Sequence, residues 1–234
     1  KSCRMPVLAT LIRLARNAEG AAKKIALWQT AVQLGTAGAL LLLSVIAQNV
    51  PLSPAASLFL LLLIPLPTAL AIALFGRSPA RPREYRMSIL QDKPQIGRLP
   101  GPGMTAMTMF GGCFAAVGGV LVYDALAAKE ATAASAGLGL WFSLLFSFLA
   151  LAMVLQAWGG TLFREESYGS RMFLVALLGT AVLAVVLMVI PGAAELLGFA
   201  ALPVRQFPRT IFPALLFLAL YEFGRILIRR LERK

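Results

Sequence analysis

The sequence has no histidine and only ten carboxylates in 234 residues. Without histidine, the commonest metal ligand and general base is missing. Cysteine is almost as scarce, with Cys3 and Cys113 alone. Cys113 lies inside an apolar run, which argues against a disulfide framework, and no Cys-x-x-Cys pair offers a zinc or redox centre. Charge is low overall: 14% of residues are Asp, Glu, Lys or Arg, against about a quarter in a soluble domain. These shortages exclude a disordered chain, a nucleic-acid-binding domain and an ordinary soluble enzyme. Nothing in the pattern calls for a cofactor. The first residue is Lys1 rather than Met, which raises the expectation of a longer chain's tail or a processed product, and no signal peptide is visible.

What the chain has in abundance is apolar sequence. Hydrophobic residues make up 59%, and the mean hydropathy is +0.80. A membrane helix needs about 20 mostly apolar residues. From Ile25 to Gly76 there is no charge at all, enough for two crossings, with Gln48-Asn49-Val50-Pro51-Leu52-Ser53-Pro54 as the turn. Helices are predicted at about 25–48, 55–76, 104–126, 136–160, 171–192 and 209–229. Runs such as Leu40–Leu43 and Leu58–Leu63 do not alternate, which excludes a barrel. The fold class is therefore an all-α integral membrane protein, a bundle of six transmembrane helices.

The basic residues orient it. Every Lys and Arg except Lys129, Arg205 and Arg209 falls in segments 1–24, 77–103, 161–171 or 225–234. The positive-inside rule then predicts that both termini and the 77–103 loop are cytoplasmic. It also accounts for a net charge of +12 without a nucleic-acid partner. The expected organisation is a cytoplasmic amphipathic or stalk helix at 1–24 and a first hairpin at 25–76. A basic, Pro-rich cytoplasmic loop follows at 77–103, then a second hairpin at 104–160. A short cytoplasmic loop at 161–170, a third hairpin at 171–229 and a basic tail at 230–234 complete it. In segment 1–24, Leu8, Leu11, Ile12, Leu14 and Ala15 share a helical face. That face suits either anionic headgroups or a stalk continuing into the first span.

A few polar features lie inside the predicted bundle. The second span contains Ile64-Pro65-Leu66-Pro67-Thr68. Two mid-helix prolines remove backbone donors, giving either a packing kink or a helix break whose carbonyls face an ion path. In the first span Gln29, Gln33 and Thr36 follow i, i+4, i+7 spacing, which suits either interhelical hydrogen bonds or a cation path. Gly111-Gly112 and Gly118-Gly119 in the third span permit close helix approach. Trp158, near Gln156 at the end of the fourth span, reads as an interface anchor. Only Asp124 and Glu222 among the carboxylates fall in predicted spans, both near an end. The spacing of Glu222 and Arg225 predicts an ion pair on one helix face.

Six helices with this loop pattern resemble the C-terminal membrane half of cation-transporting P-type ATPases. The likeness runs over about residues 20–231. In that family a stalk enters the fifth membrane helix as K-K-F-I-R-Y-L-I-S-S-N-V-G-E. Here Lys23-Lys24 is followed by Ile25 through Thr36 without a gap. Gln33 then stands where the family has a ligand Asn, and Thr36 where it has a ligand Glu. The next family helix reads N-L-V-T-D-G-L-P-A-L-A-L-G. Pro67 matches its proline, which sets Leu60 and Ile64 in place of its ligand Asn and Asp. The closing E-x-x-K and basic residues correspond to Glu222, Arg225 and Arg229-Arg230.

The resemblance implies cation transport by a larger assembly. Yet no D-K-T-G-T phosphorylation motif, T-G-E motif or nucleotide-binding domain occurs here. ATP-driven translocation would require P-type ATPase cytoplasmic domains joined to this chain. The candidate ion-path remnants are Gln33, Thr36, Ile64, Pro65 and Pro67. They are too few and too neutral for Ca²⁺, which takes six to eight oxygens including carboxylates. The expected function is a structural or assembly subunit of a larger membrane complex, in a bacterial inner membrane. The alternatives are the membrane half of an active pump and a small six-helix channel or carrier. The expected partners are the lipid bilayer and other membrane subunits or P-type ATPase cytoplasmic domains.

Overall fold

A computed structural model describes residues 4–46, 52–63, 65–75, 102–128, 132–158, 162, 171–190 and 192–231. Nearly all of the predicted 77–103 loop, Ile64, most of the 161–170 loop and the last three residues of the 230–234 tail lie outside the described residues.

The described residues are helical, with no strand among them. Helix α1 runs Arg4–Ile46, α2 Pro54–Leu63, α3 Pro65–Phe75, α4 Pro102–Ala127 and α5 Ala133–Gln156. Helix α6 is Arg171–Val189, α7 the single turn Ala193–Leu196, and α8 Phe207–Leu231 after a 3-10 turn at Val204–Gln206. Among the described residues, five segments are long and apolar enough to cross a membrane: Ala18–Ile46, Pro54–Leu74, Pro102–Ala127, Ala133–Gln156 and Arg171–Val189. The last predicted span corresponds to α8, which has the length but carries Arg209, Glu222 and Arg225 along it. Pro213 lies inside this helix.

The predicted segment 1–24 and the first span form one uninterrupted helix of 43 residues. At 1.5 Å per residue that is about 64 Å, roughly twice the hydrocarbon thickness. The second span, Pro54–Leu74, is described as α2 and α3 on either side of residue 64, which lies outside the described residues. Ser53 starts it: its hydroxyl accepts from the Ala56 amide at 3.0 Å and donates to the Leu197 carbonyl at 2.7 Å. A serine N-cap followed by Pro54 at the first helical position is a favoured start.

Helix α5 is the centre. Its apolar residues leave no polar face, and nearly all of it is buried. It packs against α4, α8 and α1, and α1 also packs against α4 and α3. Trp141 is fully buried on α5, ringed by Phe59, Phe142 and Phe199, and its indole N–H donates to the Ala56 carbonyl at 3.3 Å. Helix α6 lies outside, against α3. Its outward residues are large and aliphatic, with Val175, Leu178 and Val182 each more than half exposed. Such a surface suits lipid tails, whereas in water it would be an aggregation patch.

Candidate functional site

Pro65 and Pro67 lie within the second span, Pro54–Leu74. Each removes a backbone donor there. By the i→i−4 rule, the carbonyls of Leu61 and Leu63 would be paired by the amide N–H groups of residues 65 and 67, which prolines lack.

Four hydroxyls are buried on α1, α3 and α5. Thr68 is fully buried on α3, and Thr36 is buried on α1. Ser143 and Ser147, one turn apart, are buried on α5. None of the four side-chain oxygens has a hydrogen-bond partner. A helical Ser or Thr ordinarily bonds back to a carbonyl one turn earlier. Thr30 does so to Ala26 at 2.9 Å, Thr108 to Met104 at 2.7 Å and Thr180 to Ala176 at 2.9 Å. The four hydroxyls without that bond all lie on α1, α3 and α5, three helices that pack against one another.

The chemistry of this set is neutral throughout. Hydroxyl and carbonyl oxygens can hold water or solvate a weakly bound monovalent ion. They lack the anionic charge that compensates a divalent cation's dehydration. Among the described residues, no group of three His, Cys, Asp or Glu side chains could hold a metal. Leu60, aligned above with a family ligand Asn, is a fully buried core residue.

The candidate ion-path residues differ in burial. Thr36 is buried, but Gln33 is exposed on the outer side of α1, as is Gln29. At 100° per residue, Gln29, Gln33 and Thr36 spread over about 60°. The edge of the α1 packing surface falls inside that arc, so the threonine turns in and the amides turn out. Pro65 is buried and Pro67 half-buried at the start of α3. Ile64 lies outside the described residues. Thr68, Ser143 and Ser147 carry no motif, and only their sequestration in packed helices marks them.

Two polar clasps lie at the end that carries the basic segments. Lys24 donates to Gln156 Oε1 at 3.2 Å, and the indole N–H of fully buried Trp28 donates to the Phe148 carbonyl at 2.8 Å. Both tie α1 to α5. On α8, Glu222 Oε2 accepts from Arg225 Nε at 2.9 Å and Nη2 at 2.8 Å. Glu222 Oε1 accepts from the backbone N–H of Leu162. The acid is thus fully engaged holding Leu162, after α5, against α8, and it is far along the chain from Pro65 and Pro67.

A family model described as cation transporting ATPase, C-terminus, matches residues 49–227. The matched part runs from the turn before α2 into α8 and leaves α1 outside. No curated protein matches the chain.

Proposed function

This chain belongs to the family of the cation-transporting ATPase C-terminus, and on that premise we propose that it is a membrane-embedded structural or assembly module of a larger membrane complex. The carrying observation is the bundle interior. Thr36, Thr68, Ser143 and Ser147, buried without hydrogen-bond partners, offer only hydroxyls, and the buried acid, Glu222, is committed to Leu162 and Arg225. A pump body needs anionic oxygens to exchange a divalent ion for its hydration shell. Here the same positions hold leucine, threonine and glutamine. The reading extends to a bacterial inner membrane with the basic segments cytoplasmic, which rests on the charge asymmetry alone.

Extraction in a mild detergent followed by native electrophoresis tests the assembly role. The expected result is migration well above the 25.0 kDa chain mass, with other membrane chains in the same band. Migration as a lone chain, with no companion, contradicts it.

One observation favours a second reading, the membrane half of a working transporter. Four buried hydroxyls without partners are costly to keep, at about 1–3 kcal/mol each. A passing monovalent ion would give them a use. In that case the complex shows monovalent-cation-stimulated ATP hydrolysis that Thr36→Val and Thr68→Val abolish together.

A further inference from the structure

The connection from α6 to α8 lies at the end of the bundle opposite to the basic segments, since α6 starts at Arg171 and α8 ends among Arg225, Arg229 and Arg230. From Ile190 to Val204 it has one charged residue, Glu195. It is nonetheless held to the bundle. The Ser53 hydroxyl donates to the Leu197 carbonyl at 2.7 Å, Phe199 is buried edge-on against Trp141, and Phe207 packs edge-on against Phe142 and Phe146. Beside these fixed points Leu196 and Val204 are 84% and 87% exposed, more than Leu178 at 67% on the outward face of α6. Outside a spanning helix such side chains meet either water or the boundary between headgroups and acyl chains, and only the second suits them.

Charge says what covers them. Of the 22 basic residues only Lys129, Arg205 and Arg209 lie away from the basic segments, and the last two flank the start of α8. The positive-inside pattern disfavours them at this end. Neither arginine forms an ion pair with a described residue, and Nη1 of Arg209 has no hydrogen-bond acceptor in the protein. A guanidinium suits a phosphate, which it takes through two parallel N–H bonds. By helical rotation Arg209, Phe212, Leu216, Leu220 and Phe223 lie within about 80° of one another, and the four apolar members are exposed. A phospholipid with its phosphate at Arg209 lays an acyl chain along that stripe.

We infer that the 192–206 connection is a lipid anchor: Leu196 and Val204 enter the headgroup boundary of the leaflet opposite to the basic segments, and Arg205 and Arg209 bind phospholipid phosphate there. The occupant is lipid, so the anchor forms whether or not the chain assembles with others.

An environment-sensitive fluorophore on Val204→Cys tests the anchor, with one on Leu178→Cys as the deep reference, in the full chain carrying Cys3→Ser and Cys113→Ala. The chain is placed in nanodiscs of phosphatidylcholine and phosphatidylglycerol, with doxyl lipids as quenchers at set depths and iodide as the quencher in water. The expected result is quenching at 204 by the shallow doxyl lipid with protection from iodide, and quenching at 178 by the deep one. Arg205→Gln with Arg209→Gln should lower the phosphatidylglycerol retained by the detergent-purified chain about fivefold per arginine, with the depth at 178 unchanged. If that pair disturbs the depth at 178, Arg205→Lys with Arg209→Lys replaces it; this pair keeps the charge without the parallel bonds and should still retain less lipid than the parent. Quenching at 204 by iodide alone overturns the anchor, as does lipid retention equal to the parent's in the folded arginine variant. A photo-crosslinker at Val204 that captures a protein rather than lipid in the native membrane overturns it as well.

Discussion

At the scale of single residues, Glu222 decides how the basic end of the bundle is held. Its two oxygens serve different masters: one accepts from the Leu162 amide and the other from Arg225. Both charged side chains are mostly buried, with 15% of the Arg225 side chain and 11% of the Glu222 side chain exposed. Glu222→Ala leaves a buried guanidinium without its carboxylate and removes the acceptor that the Leu162 amide uses, a loss of about 3 kcal/mol. It is read as a lower thermal midpoint in detergent. Glu222→Gln keeps an acceptor for Leu162 and falls less. Glu222→Leu combined with Arg225→Leu removes both charges, so the double variant should lie closer to the parent than Glu222→Ala does. A double variant worse than the single one would show that the pair contributes more than mutual neutralisation.

At the scale of helices, the contact between α1 and α4 depends on two glycines. A Cβ on Gly112 would stand 2.8 Å from the Ala31 carbonyl oxygen and 3.3 Å from its Cα, and one on Gly35 would stand 2.9 Å from the Gly112 carbonyl oxygen. Backbone faces backbone, so neither side can turn away. Gly112→Ala should therefore force the helices apart at a cost of about 1–3 kcal/mol. Gly179, in the middle of α6, has nothing within 4 Å of its would-be Cβ. Gly179→Ala should stabilise by about 0.4–1 kcal/mol through the unfolded chain. Equal effects at the two positions, measured by denaturant titration in the same detergent, would contradict the close-approach account. The Gly111-Gly112 pair was legible as a packing signal because small residues at membrane depth have few other uses. The direction of each residue was not. Gln33 and Thr36 are three positions apart, and only the placement of α4 and α5 determines which of them is covered.

At the scale of the whole molecule, the spans follow from uninterrupted apolar length, and the described helices fall within a few residues of them. Two features lay beyond that signal. The 1–24 segment and the first span are one helix, because no Gly-Pro stop separates Gly20 from Ile25 and the lysines at 23 and 24 find partners in Glu19 and Gln156. The buried hydroxyls without partners on these helices are at residues 36, 68, 143 and 147. No local spacing could connect positions so far apart, and their common property is burial that only the packed bundle creates. What remains, among the described residues, is an interior whose buried acid, Glu222, is paired with Arg225 and whose unpartnered hydroxyl oxygens are neutral. Isothermal titration of the purified full chain with Ca²⁺, Mg²⁺ and Mn²⁺ tests that most directly. The account predicts no saturable heat up to about 1 mM cation, since neutral oxygens do not compensate divalent dehydration. One-to-one binding that Thr36→Val with Thr68→Val abolishes would contradict it.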